Sequence, residues 1–180
     1  SFARLYFFTL LGYCLSGVLD AFTSYGTHLL WPLSNERVAW SIISVIDPIF
    51  TLILLVAAII AFKKNNRLAA YLGLFLAATY LTLGWVQSQR VETFAKTIIA
   101  ERGQTAETLL VKPTLGNIIL WRSIYRYQGS LYVDAIRVSL ITGPQLYPGE
   151  SIVQFDRSRD LSAVPDSSVL AKDIERFSHF

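Results

Sequence analysis

Three apolar runs, at residues 5–19, 40–62 and 68–86, constrain this chain more than any other feature. A straight bilayer crossing needs about 20 apolar residues. The third run meets that length, and the first meets it when counted from residue 1. The second contains Asp47-Pro48, a helix-start signal: the carboxylate can cap free backbone amides, and Pro suits the first helical position. The spacing predicts a regular helix from residue 48 to about residue 62, with residues 40–46 as an interfacial or re-entrant lead-in. A signal-peptide reading of the first run lacks both a basic leader and a small-residue cleavage pattern.

Charge separates the chain into two parts. Residues 1–86 carry 8 charged side chains (Arg4, Asp20, Glu36, Arg37, Asp47, Lys63, Lys64 and Arg67), leaving 21 for residues 87–180. A membrane portion followed by a water-soluble portion is the expectation. The net charge is +3, with no basic run interleaved with aromatics, so no nucleic-acid footprint is present. Cys14 lies inside an apolar run and reads as a small hydrophobe. The chain has no Met and stops inside a helix-like stretch, so it is expected to be a piece of a longer protein.

The run Lys63-Lys64-Asn65-Asn66-Arg67 joins the second and third apolar segments. The positive-inside rule makes this short loop cytoplasmic. By alternation, residues 23–39 and everything after Val86 lie on the extracytoplasmic side.

Past the third run, Val91, Phe94, Ile98 and Ile99 fall on one helical face, opposite Gln87, Arg90, Glu92 and Lys96. Gly103 is the expected stop. The stretches TLLVKP, NIILWRSIYRY and SLYVDAIRV read as strands, with Gln128-Gly129 as a tight hairpin turn between the last two. Trp121, Ser123, Tyr125 and Tyr127 then share one face, with Arg122, Ile124 and Arg126 on the other. Residues 142–167 read as turns. A final helix is expected from about residues 166–168, with Leu170, Ile174 and Phe177 as its apolar stripe.

The expected fold class is therefore an α-helical membrane protein of about three transmembrane helices, with a small extracytoplasmic α+β region containing an antiparallel β-hairpin. Residues 1–86 form the membrane part, 87–104 an amphipathic helical extension, and 105–180 a β-rich region with a C-terminal helix.

Chemistry concentrates in VLDAFTSYGTHLLWP, residues 18–32, where a carboxylate and several hydroxyls close a lipid-soluble segment. Asp20 and Asp47 fall at similar depth on one side of the bilayer. Carboxylates near the apolar layer are costly unless paired, capped or metal-bound. Asp20, Asp47 and His28, with Thr23, Ser24 and Thr27 nearby, could supply ligands to a divalent cation. Structural readings stand beside this one. Asp47 can serve solely as an N-cap, Asp20 can bind the amides of the following turn or pair with Arg37, and His28 can sit at the interface. Tyr25, Trp31 and Trp40 fit an aromatic belt. No G-x-S-x-G elbow, P-loop, H-E-x-x-H or C-x-x-C occurs.

The run LDAFTSYGTHLLWPLSNERVAW followed by SIISVIDPIFTLILL resembles the YdjM-like family of bacterial inner-membrane, metal-dependent hydrolases. That family shows Leu-Asp, Thr-Ser-Tyr-Gly-Thr, Leu-Trp-Pro-Phe-Ser and an Asp-Pro opening the next helix. Members with a C-terminal extension carry segments similar to Trp121–Tyr125 and Tyr132–Arg137. The resemblance implies a divalent cofactor, zinc among the candidates, held by Asp20, Asp47 and His28, with Asp20, Thr23 and Thr27 serving catalysis. Two departures stand out. The family histidine one helical turn before the aspartate is Ser16 here, and the family's His-Arg-x-x-Thr-His-Ser motif does not occur. A lipid-linked or envelope substrate follows from the position of the site, and the bilayer is the expected partner. The alternative is a non-catalytic membrane anchor that presents a β-rich module for interaction or sensing. A transporter is disfavoured, since three short spans offer little pathway.

Overall fold

The computed structural model describes residues 2–139, 141–161, 164–165 and 168–178. Three helices come first: α1 (Phe2–Ala21), α2 (Pro48–Lys63) and α3 (Arg67–Glu101). By length and composition, α1 and α3 can each cross a bilayer. At 16 residues, α2 spans about 24 Å, short of a hydrocarbon core of about 30 Å.

Helix α2 begins where Asp47-Pro48 predicts. The Asp47 side chain accepts hydrogen bonds from the amides of Ile49 and Phe50, and Pro48 occupies the first turn. Asn66 caps α3 in the same way, through the amides of Leu68 and Ala69. The two helices return on each other through the Lys63–Arg67 connection and pack along their lengths. Their seam uses small residues, as membrane helices do when backbones approach closely. Gly73 faces Ala57, so that a methyl group at Gly73 would collide with the Ala57 side chain. Helix α1 buries only Ala21, half-buries Gly17 and Val18, and exposes the rest of its described apolar surface, as suits a helix surrounded by lipid.

The α3 helix runs without interruption past residue 86, and its character changes along the way. Its buried stripe passes from Gly73, Ala77 and Tyr80 to Val91, Ala95 and Ile99. The second half of this stripe packs against a five-stranded antiparallel sheet: β1 (Thr108–Pro113), β2 (Leu120–Tyr127), β3 (Ser130–Arg137), β4 (Gln145–Tyr147) and β5 (Ser151–Val153). Val91 and Ala95 join Val111, Trp121, Ile136 and Val138 in one core. As the alternation predicts, Trp121, Ser123 and Tyr125 are buried while Arg122 is exposed. Gln128 and Gly129 both have positive φ, the backbone of a two-residue hairpin turn that follows strand twist.

Strands β4 and β5 correct the expectation of turns alone at residues 142–167. Both pair with the free edge of β3, β4 along Ala135–Arg137 and β5 along Ser130–Tyr132. Between them the chain presses against β3 at Gly149, where any side chain would overlap the Val133 carbonyl. Two short helices follow, α4 (Arg157–Asp160) and α5 (Val169–Ser178). The Ser168 hydroxyl accepts a hydrogen bond from the Ala171 amide at 3.1 Å. Of the expected α5 stripe, Leu170 is exposed and its neighbour Ala171 is buried instead, Ile174 is half-buried, and the side chain of Phe177 lies outside the described residues. Residues 166 and 167, named as its start, lie outside the described residues.

Candidate functional site

Residues 22–46 form an irregular collar between the end of α1 and the start of α2. The collar folds back on itself through paired backbone hydrogen bonds between Thr27 and Val38, each 2.9 Å. Gly26 makes this possible: its φ is +66°, and a Cβ there would strike the Val38 carbonyl. The Thr-Ser-Tyr-Gly-Thr run is therefore a backbone device as well as a source of hydroxyls. The return limb is tied to the end of α1, with Trp40 N bonding Ala21 O and Ile42 N bonding Phe22 O, both at 2.8 Å.

Ile42 and Ile43 enter a second small core with Tyr80 of α3, flanked by Phe22, Phe50 and Ile118. The lead-in to α2 is thus irregular chain packed against α3. Tyr25, Trp31 and Trp40 remain exposed on the collar, where an interfacial belt needs them.

The two aspartates have different circumstances. Asp47 is buried, 4% exposed. Its Oδ1 accepts from Ile49 N at 3.1 Å and Phe50 N at 3.0 Å, and its Oδ2 accepts from the Tyr80 hydroxyl at 2.8 Å. Asp20 is exposed near the end of α1, and among the described residues its carboxylate has no hydrogen-bond or ion-pair partner. Its backbone carbonyl is engaged by the Thr23 hydroxyl at 2.8 Å and the Thr23 amide at 3.0 Å.

His28 is also exposed, and its Nδ1 lies 3.0 Å from the Asn35 carbonyl. Thr27 serves the collar through its backbone. Ser16, at the position of the family histidine, donates to the Tyr13 carbonyl.

A divalent cation needs several converging oxygen or nitrogen donors. Among the described residues no three His, Cys, Asp or Glu side chains gather for that purpose. Both Asp47 oxygens already serve the fold. The described residues therefore do not by themselves complete a metal site, and of the two aspartates Asp20 is the one whose carboxylate has no partner among them.

A cleft of about 320 Å³ lies between the collar and strands β1 and β2 of the sheet, lined by Ser24, Tyr25, Ser44, Val45, Lys112, Pro113, Thr114, Leu115 and Arg122. The Ser44 hydroxyl accepts from the Gly116 amide at 3.2 Å, joining collar to sheet. Sequence reasoning missed Ser44, Lys112 and Tyr80 as participants. Arg122 was visible as an outward strand position, but its place beside the collar depends on a contact 72 residues apart in the chain.

The far end of the sheet is fixed to the tip of α3. Arg102 makes a forked ion pair with Asp134, 2.7 and 3.1 Å, and also donates to the Tyr125 hydroxyl at 2.7 Å. Tyr125 donates in turn to Gln104 at 2.6 Å.

The sequence profile of the YdjM inner membrane protein family matches residues 2–91, which covers α1, the collar, α2 and most of α3. No curated protein and no solved structure matches the chain.

Proposed function

Because the chain belongs to the YdjM inner membrane protein family, we propose that it is a multi-pass enzyme that hydrolyses a lipid-linked or envelope component beside the collar, with Asp20 serving the reaction. In this reading α2 is a third span, the Lys63–Arg67 connection is cytoplasmic, and the collar and sheet are extracytoplasmic. The observation that carries it is the contrast between two aspartates. Asp47 is fully engaged by the α2 amides and Tyr80, whereas the Asp20 carboxylate, at the end of an apolar helix, has no partner among the described residues.

A carboxylate so placed can accept the proton of an attacking water. Thr23, whose hydroxyl bonds the Asp20 carbonyl rather than its carboxylate, keeps the turn in shape, and Thr27 lies on the adjoining collar limb. The divalent cation implied by the resemblance, zinc among the candidates, finds one free carboxylate and no completed ligand set among the described residues. The proton step therefore stands on Asp20 alone.

The test is to incubate the purified full chain with a total envelope lipid extract and follow products by mass spectrometry. A product formed by the wild type and lost in Asp20→Asn supports the reading; no product from the wild type overturns it. A second reading, a non-catalytic anchor presenting the sheet for interaction or sensing, is favoured by the ungathered ligand set. It predicts an unchanged extract.

A further inference from the structure

The cleft between collar and sheet has a chemistry that the hydrolase reading does not use. Lys112 of β1 and Arg122 of β2 are direct cross-strand partners. Like charges directly opposite each other in a sheet repel, and such pairs are usually relieved by a neighbouring carboxylate. Here no Asp or Glu lines the cleft, and neither cation has an ion pair or side-chain hydrogen bond among the described residues.

The same cleft is edged by hydroxyls. Ser44 accepts from Gly116 and keeps its own proton to donate, and Ser24 and Tyr25 line the collar side. Two cations and the hydroxyls of Ser24, Tyr25 and Ser44 line a cleft of about 320 Å³, at the lower end of the range for small-ligand sites, while the Thr114 hydroxyl donates to the Leu120 carbonyl. The location matters as much as the charge. Ser24, Tyr25 and Ser44 belong to the collar that joins the end of α1 to the start of α2, which in the topology proposed above lies at the level of the headgroups.

We propose that this cleft binds the phosphate of an anionic lipid headgroup, held by Lys112 and Arg122 across the strands and by the Ser24, Tyr25 and Ser44 hydroxyls from the collar. A forked guanidinium beside an ammonium suits a phosphate, whose oxygens accept several charge-assisted hydrogen bonds at once. The anion also removes the repulsion that the bare pair imposes on β1 and β2. The proposal goes beyond hydrolysis and does not depend on it, because headgroup binding requires no turnover.

The test uses the full chain in detergent, with three probes: short-chain phosphatidic acid, diacylglycerol of the same chain length, and inorganic phosphate. The wild type is expected to bind phosphatidic acid at least tenfold more tightly than either other probe. The Lys112→Gln/Arg122→Gln double variant should lose at least tenfold, and Arg137→Gln, outside the cleft, less than twofold. Without ligand, Lys112→Gln should unfold at the same temperature as the wild type or higher, since it removes a repulsion. Unchanged phosphatidic acid binding in the double variant overturns the site. Inorganic phosphate bound as tightly as the lipid overturns the headgroup assignment. A lower unfolding temperature in Lys112→Gln overturns the premise that the cation lacks a partner within the protein.

Discussion

The Tyr80 hydroxyl donates to Asp47 Oδ2 at 2.8 Å, so a residue in the middle of α3 completes the cap of α2. One carboxylate thereby does two structural tasks: Oδ1 satisfies the first free amides of α2, and Oδ2 holds the helix start against α3. Losing an N-cap costs about 1 kcal/mol, and leaving a buried hydroxyl without its acceptor adds about 1–3 kcal/mol. Asp47→Ala is therefore expected to destabilise the protein by about 2–4 kcal/mol, and Tyr80→Phe by about 1 kcal/mol. Thermal unfolding of the purified variants measures both. If Tyr80→Phe proved as damaging as Asp47→Ala, the cap would not be the larger part of the effect.

Asp20 should show the opposite profile. Its side chain is exposed and engages no described residue, so Asp20→Asn is expected to change stability by less than about 0.5 kcal/mol. Any metal that the purified protein retains should be lost in this variant. Asp47→Asn should leave metal content as in the wild type, because its oxygens are occupied by α2 and Tyr80. Elemental analysis of the three purified proteins separates these outcomes. Equal metal in Asp20→Asn and the wild type would remove Asp20 from the metal reading.

The seam between α2 and α3 depends on the missing side chain at Gly73. A Cβ placed there would overlap the Ala57 methyl, and membrane helices gain their association from such close approach. Gly73→Val forces the helices apart, with an expected loss of about 1–3 kcal/mol. Gly12→Val on α1, where nothing approaches within 4 Å, is the control and should be neutral. A cysteine pair across the α2–α3 seam, introduced with Cys14 replaced, should cross-link less efficiently in the Gly73 variant.

Local signals in the sequence are strong where a single residue determines the outcome. Asp47-Pro48 opens α2, Gln128-Gly129 turns the hairpin, and alternation along β2 sorts Trp121 from Arg122. Each depends on chain geometry within a few residues. Strands β4 and β5 are three residues each and sit among prolines; they exist because β3 has an unpaired edge, which no local pattern records. The candidate site divides the same way. The choice between cap and metal ligand for Asp47 was open in the sequence because its second oxygen is taken by Tyr80, 33 residues on. The pairing of Lys112 with Arg122 required the β1–β2 register, and their meeting with Ser24 and Ser44 required the collar to fold back.

Membrane orientation gives a further test. If the Lys63–Arg67 connection is cytoplasmic and the hairpin tip extracytoplasmic, as proposed above, a cysteine at Gln128, in a chain whose Cys14 is replaced, should react with an impermeant maleimide in cells whose outer membrane has been permeabilised. A cysteine at Lys64 should react only after the inner membrane is opened. The reverse pattern would invert the topology and place the collar on the cytoplasmic side.

The Arg102–Asp134 pair sets how firmly the sheet is held to α3. Asp134 is buried, 5% exposed, and also accepts the Gly149 amide at 3.1 Å, so it joins α3, β3 and the β4–β5 junction. The hydrogen bonds from Arg102 to Asp134 push the guanidinium pKa further above its already high range. A raised value stabilises the fold at every pH below the range in which the unfolded chain's arginine would lose its proton. This contribution is complete at neutral pH and fades only in strong alkali. Truncating one member of a buried pair leaves the other uncompensated, so Asp134→Ala is expected to cost about 3 kcal/mol. Arg102→Lys keeps the charge but loses the fork and the contact to Tyr125, for an expected loss of about 1–2 kcal/mol. Hydrogen exchange should localise the effect, with faster exchange in β3–β5 and at the end of α3, and unchanged protection in α2. Uniform acceleration across the chain would show instead that the pair supports the whole fold rather than this junction.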